Sequence, residues 1–323
     1  MGATMMTSAG AEAFRHLPVL ASEVTELFAP VPAGLVIDAT VGGGGHAASL
    51  LSAHPHLSLL GVDHDATAVA AAAERLRRFG DRAEVVRARF DELPRLLDER
   101  PDVPLVGALF DLGVSSPQLD TADRGFSYRN DGPLDMRMDD RQRLDAAAVV
   151  NTYPVDDLAR LIAEYGDERY AGRVARAIER DRPITSTKRL AEIVRDAIPV
   201  PARREGGHPA RRTFQAIRLE VNQELPVLRT ALEATLDHLE PGGRCVVLSY
   251  HSGEDRIVKE LLRTWSTPSP LPAGLPVEPE APPARLIHRG AVVPSAEEQA
   301  NNPRSSSARM RALEITTGTR GVS

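Results

Sequence analysis

The chain has one cysteine in 323 residues, no apolar run long enough to cross a bilayer, no internal repeat and no excess of positive charge. A lone Cys245 excludes an internal disulfide and a four-cysteine zinc site, and no metal centre is expected. It sits in the apolar run Arg244-Cys-Val-Val-Leu-Ser249, the setting of a buried strand residue and not of a nucleophile. A membrane span needs roughly 18 consecutive apolar residues, and none is present. The first residues also lack the basic-then-apolar pattern of a secretory signal, so a soluble, cytoplasmic protein is the default expectation. The formal net charge of -6 argues against a uniformly basic nucleic-acid binder.

That charge is unevenly placed. From Arg169 to Arg218 there are 13 Lys or Arg against 5 Asp or Glu, a local net of +8 that leaves the remainder at -14. With 42% hydrophobic residues the chain can bury one large or two ordinary cores.

Residues 1–14 are small, polar and aperiodic and are expected to be disordered. A parallel-sheet rhythm follows: strands are expected at 35–38, 58–63, 84–87 and 105–111, with helices at 46–53, 66–79 and 91–98 between them. This alternation implies an α/β fold with a doubly wound sheet. Helical periodicity then runs from about Ala146 to Ile198, and the sheet pattern resumes with a helix at 213–239, a strand at 245–249 and a helix at 254–265. The expected organisation is a discontinuous core of residues 15–140 and 213–323 around an inserted helical domain, 141–212. Residues 268–283 carry seven prolines and read as a surface loop before strands near 284–287 and 310–315.

The segment Asp38-Ala-Thr-Val-Gly-Gly-Gly-Gly-His46 joins the first strand to the first helix. Glycine lets the backbone turn sharply and approach a ligand closely, and the N–H groups opening a helix point at it. The second strand ends in Asp63, about where an α/β unit sets an acid against ribose hydroxyls. The loop alone fits a nicotinamide or flavin dinucleotide, S-adenosylmethionine, or a structural turn. His46 either caps the helix or touches the cofactor.

The fourth strand ends at Asp111 and runs into Leu-Gly-Val-Ser-Ser-Pro-Gln118. Ligands in open α/β sheets sit at the carboxyl ends of strands, so Asp111, Asp63 and the glycine loop should converge on one crevice, with Phe90 placed against an adenine. A strand-end cap and a core phenylalanine are the plainer readings of Asp111 and Phe90. The irregular segment 124–139 is a candidate lid or substrate wall, in which Phe126 and Tyr128 are able to stack on a base, or a surface loop merely pinned by those aromatics; Tyr250 is a third ring able to stack. Arg169, Arg173, Arg176 and Arg180 recur at helical spacing opposite Val174, Ala177 and Ile178, and Arg203, Arg204, His208, Arg211 and Arg212 add a basic loop. Such a surface suits a phosphate backbone, against the alternative of a merely solvated helix face.

Taken together these motifs resemble the bacterial ribosomal RNA small subunit methyltransferase H family, also called the MraW family. The resemblance covers nearly the whole chain from Arg15 and rests on Arg15-His-Leu-Pro-Val-Leu20, the glycine loop, Asp111-Leu-Gly-Val-Ser-Ser-Pro-Gln-Leu119, Arg124-Gly-Phe-Ser127, Asp131-Gly-Pro-Leu-Asp-Met-Arg-Met-Asp139, His208-Pro-Ala-Arg-Arg-Thr-Phe-Gln-Ala216, Tyr250-His-Ser-Gly-Glu-Asp-Arg256 and Asn302-Pro-Arg304. It implies a class I S-adenosylmethionine-dependent methyltransferase core with a helical insertion. The implied reaction is methylation of N4 of a decoding-centre cytidine in 16S ribosomal RNA, in the small ribosomal subunit. The donor contacts carried over by motif are Gly44, Gly45, His46, Asp63, Phe90, Asp111 and Gln118. Tyr250, Gly253 and Ser306 depart from the family pattern, which more often has Phe, Leu and a basic residue there. A homodimer is compatible with the sequence.

Cytosine N4 is a poor nucleophile because its lone pair is delocalised, so orientation must supply much of the rate. The chain lacks the Pro-Pro-aromatic motif that many amino-methyltransferases carry after strand four. Asp111 is expected to position donor and amine, with Asp135 or His251 approaching the base; a structural role is the alternative for His251. Arg169, Arg173, Arg176, Arg180, Arg211 and Arg212 are expected on RNA. The rival readings are a ribosome-assembly factor that keeps the fold as an RNA-binding scaffold, and a nicotinamide-dependent oxidoreductase supported only by the glycine spacing.

Overall fold

The structure, a computed structural model, describes residues 18–204, 207–268 and 280–317. The expectations for residues 1–14, the Arg15 end of the first motif and most of the proline-rich stretch fall outside these residues.

Among the described residues seven strands form one sheet: β1 Gly34–Asp38, β2 Leu57–Asp63, β3 Ala83–Arg87, β4 Leu105–Asp111, β5 Leu239–Ser249, β6 Ala284–Leu286 and β7 Arg309–Ile315. Their order is β3-β2-β1-β4-β5-β7-β6. The first five strands run parallel, while β7 lies antiparallel to both β5 and β6. This is the doubly wound α/β sheet of a class I methyltransferase fold. Parallel strands buried on both faces need apolar residues on both, and β5 meets this by alternation. Cys245 and Val247 enter the core on one face, Val246 and Leu248 the core on the other. Burial pushes the Cys245 thiol up to about 12, so it packs as a small apolar group.

Chain order reverses between β1 and β4, which lie side by side. Beyond their carboxyl ends the loops diverge to opposite faces and leave a crevice. Asp38, Asp63 and Asp111 each end a strand there.

A second hydrophobic core gathers side chains from Phe126 to Val221. It is wider than the expected 141–212. Phe126, Leu134, Met136 and Met138 of the irregular 124–139 segment are all buried in it, because their side chains fill the space against the helices Ala146–Thr152, Val155–Gly166 and Arg211–Asn222. That segment is therefore a packed wall. The continuous helix expected over 213–239 is two, Arg211–Asn222 and Glu224–His238, separated by Gln223 in the left-handed region at φ 51°. Pro226 supplies the reason: it has no N–H to donate to the preceding turn, and a helix tolerates it only in its first turn. Short helices at Ala21–Leu27, Ser116–Asp120 and Ala296–Asn301 had no periodic signal, being too brief to show one.

Candidate active site

The glycine loop leaves β1 at Asp38 and enters the helix Gly45–Ala53 at Gly45. Gly42 and Gly44 hold φ of +51° and +74°, where a β-carbon is strained. Thr40 N–H donates to Asp38 Oδ1 at 3.2 Å, and Gly42 N–H to Asp63 Oδ2 at 3.0 Å, so the acids at two strand ends set the loop's path. A second constraint comes from β2: a β-carbon on Gly61 would stand 2.8 Å from Val41 Cγ2, so the loop lies where only glycine leaves room.

The crevice has a volume of about 610 Å³, within the range of small-molecule sites. Asp38, Asp63, His46, Phe90, Asp111 and Gln118 line it together. Gly45 also lines it, whereas Gly44 does not and serves as the helix N-cap. Phe90 fulfils both of its readings, packing edge-to-face on Phe110 at 5.8 Å between centroids while its remaining surface forms part of the wall.

Charge is concentrated in this space. Asp38 is fully buried, and burial pushes its carboxyl up to about 7, opposed by the nearby His46 and by the Thr40 N–H. His46 is 6% exposed; burial disfavours its charged form, but Asp111 and Asp38 outweigh that and lift the imidazole above its ordinary value. Its Nε2 lies 3.6 Å from Asp111 Oδ2, near enough for ion pairing but beyond hydrogen-bond reach, and among the described residues neither ring nitrogen has a hydrogen-bond partner. An orphaned buried imidazole is costly unless a ligand completes it. Asp63 is likewise raised by burial, with His64 and the N–H groups of Asp65 and Gly42 opposing.

Gln118 is 5% exposed, and its amide is spent on the protein: Oε1 accepts from Ser115 N–H at 3.0 Å and Nε2 donates to Asp65 Oδ2 at 3.2 Å. It thus holds the β4 loop against the N-cap of the helix Ala66–Leu76. Asp111 Oδ1 accepts from the Tyr250 hydroxyl at 2.7 Å, and its N–H donates to Thr40 Oγ1 at 2.6 Å.

The two candidates for approaching the base separate. His251 lines the crevice, but its ring caps the helix Ser252–Trp265: Nδ1 accepts from Glu254 N–H at 3.4 Å and Nε2 lies 3.1 Å from Glu254 Oε1. Asp135 is not among the residues lining the crevice. Arg137 grips both of its oxygens at 2.9 and 2.8 Å and holds its carboxyl below the ordinary value despite the opposing effect of burial. Asp135 is a loop-fixing residue, which its spacing from Arg137 could have signalled.

The basic residues also divide. Arg173, Arg176 and Arg180 stand exposed on the helix Ala171–Arg180, whose other face buries Val174, Ala177 and Ile178 as the periodicity required. Arg169 lies over the Tyr170 ring at 4.9 Å. None of these four lines the crevice. Arg211 does, together with Phe214, Gln215 and Arg218 on the same helix. The spacing i, i+3, i+4, i+7 places them on one face, a signal present in the sequence. Arg212 is exposed but faces elsewhere. Among the described residues no helix is long and apolar enough to cross a membrane, and no cluster of His, Cys, Asp and Glu is arranged to hold a metal ion.

Residues 13–316 match the family model described as the MraW methylase family. The chain is 52% identical over 315 residues to the ribosomal RNA small subunit methyltransferase H of Thermobifida fusca, covering 95% of each sequence. It is 54% identical over 308 residues to the protein of the same name from Salinispora arenicola, covering 93% of this chain and 82% of that one. Among solved structures, an rRNA methylase from Streptococcus thermophilus aligns with a TM-score of 0.41 at 13% identity, over 92% of this chain and 94% of that one.

Proposed function

This chain belongs to the MraW methylase family, and we propose that it transfers a methyl group from S-adenosylmethionine to N4 of a decoding-centre cytidine in 16S ribosomal RNA. The observation that carries the reading is one crevice bounded on one side by Asp38, His46, Asp63 and Asp111 and on the other by the Arg211, Phe214, Gln215 and Arg218 face. Acids gathered at the strand ends suit a donor bearing both a sulfonium and an ammonium. A basic helix face suits a polyanion.

The residues present fit the donor. His46 offers two unpartnered nitrogens in a buried wall, and Asp63 keeps lone pairs for ribose hydroxyls beside those given to Gly42 and Asp65. Phe90 supplies a flat apolar surface for adenine. Bound there, the donor supplies an electrophilic methyl carbon. The N4 lone pair forms the N–C bond as the C–S bond breaks, sulfur leaves as the thioether of S-adenosylhomocysteine, and one amine proton is released. Orientation of amine and methyl contributes roughly 7–11 kcal/mol in well-aligned systems, more than a single base gives. Asp111 holds that geometry from the end of β4. Arg137 holds both Asp135 oxygens and His251 Nδ1 is engaged in its helix cap, so Asp111, at the end of β4 in the crevice, is the carboxylate we assign to donor and amine. The cytidine must enter unpaired, and Tyr128, whose ring stacks on His208 at 4.6 Å between centroids, lines the crevice as a candidate surface for it.

Labelled methyl transfer to small subunits from cells lacking this enzyme, followed by nucleoside mapping, tests the reading. Label on a cytidine amine is expected. Label on another atom would overturn the substrate assignment, and tight RNA binding without transfer would favour the scaffold reading instead.

A further inference from the structure

Tyr250 follows β5 directly, and its position is fixed from three sides. Its N–H donates to Oε2 of the buried Glu254 at 2.7 Å, the same oxygen that accepts from His251 N–H at 3.2 Å. Its ring lies against Gly113, where a β-carbon would stand 3.4 Å from Cδ2. Its hydroxyl then reaches across the crevice floor to Asp111 Oδ1 at 2.7 Å. Burial, reinforced by the Asp111 charge, pushes the phenol far above its ordinary value, so it stays a proton donor throughout the working range.

The terminal torsion of an aspartate is broad and only two-fold, so backbone geometry alone does not aim its carboxylate. A phenol has one proton to give, and a hydrogen bond to a carboxylate is among the stronger kinds. With Oδ1 engaged, Oδ2 is the oxygen turned toward His46, 3.6 Å away. We propose that Tyr250 is a positioning residue that acts through Asp111, locking Oδ1 so that Oδ2 is presented to the methyl donor and the amine. This rests on the reading of the crevice as the donor site. It assigns to the residue after β5 a role separate from stacking on the substrate base.

The test is a double-substitution cycle in the full chain, with calorimetric affinity for S-adenosylmethionine and single-turnover methyl transfer to small subunits as readouts. Tyr250→Phe removes only the hydroxyl and is expected to weaken donor binding or the transfer step by about tenfold or more, as for a lost bond to a charged group, with RNA affinity unchanged. In an Asp111→Ala background, which removes the accepting oxygen, the same substitution is expected to have at most a small further effect. An equal loss in both backgrounds would show that Tyr250 acts independently of Asp111, and no loss in the unsubstituted background would show that the contact is idle; either overturns the proposal. Absence of donor binding by the unsubstituted chain would instead overturn the reading of the site, and this proposal with it.

Discussion

Arg124 donates from Nη1 to Asp65 Oδ2 at 2.8 Å, and this contact ties the helical unit to the sheet domain. The same guanidinium reaches the carbonyls of Arg137 and Met138 at 3.1 and 3.3 Å, inside the second core, while Asp65 caps the helix after β2 and holds Gln118. The packed 124–139 wall and the loop after β4 therefore share one buried carboxylate.

Removing that link should loosen both. Arg124→Ala leaves Asp65 short of its charged partner and is expected to cost about 1.5–3 kcal/mol of stability by denaturant unfolding. Burial alone would raise Asp65, but Gln118 and Arg124 outweigh it and hold the carboxyl below its ordinary 3.8. Its contribution is thus present above that value and is lost as pH falls through the lower, folded value. The variant should show a shallower acid dependence there; an unchanged profile would mean that the ion pair contributes nothing.

Asp38 has the opposite sign. Its carboxyl is raised to about 7, so the folded state increasingly pays for a buried charge as pH rises from 3.8 to about 7. His46, also raised, contributes stability below 6.5 that is lost as pH climbs through its folded value. Both make the ligand-free protein less stable toward alkaline pH. Asp38→Asn should therefore stabilise it at pH 8, by about 1–3 kcal/mol in thermal unfolding, while weakening the binding of the cationic donor. A destabilised variant at pH 8 would contradict this account.

Gly61 should matter to a loop twenty residues away in the chain. In Gly61→Ala the new methyl meets Val41 at 2.8 Å and must displace the glycine loop. An overpacking cost of about 1–3 kcal/mol is expected, with a fall in donor affinity measured by calorimetry. Unaltered affinity would show that the loop tolerates the shift.

The arginines should separate by position. Arg211→Ala, at the crevice, is expected to reduce both RNA affinity and methyl transfer, and to lower the salt slope of binding by about 1. Reversal of Arg173 and Arg176 to Glu should weaken RNA binding and flatten its salt dependence while leaving donor affinity intact. Equal salt slopes for the reversed and unsubstituted proteins would remove that helix from the RNA surface.

Local chemistry was legible from the sequence. Short apolar runs placed β1, β2 and β4 within a residue or two, and the four glycines marked a sharp turn between strand and helix. Arg173, Arg176 and Arg180 are exposed as their helical spacing required, whereas Arg169 precedes the helix Ala171–Arg180 and is not part of its face. These features depend on nearest neighbours, and the chain carries its nearest neighbours with it.

Partnership across the fold was not legible in the same way. Asp135 has the chemistry of a catalytic group, yet Arg137 holds both of its oxygens locally, and His251 Nδ1 caps its own helix. Asp38 passed as the first letter of a loop motif, although β1 buries it against His46. Tyr250 and Asp111 are 139 residues apart, and only the placement of β5 beside β4 brings hydroxyl and carboxylate to 2.7 Å. Periodicity specifies which side of an element faces the core. Which oxygen of a carboxylate remains free depends on every donor that folding brings within reach of it, and those donors come from distant parts of the chain.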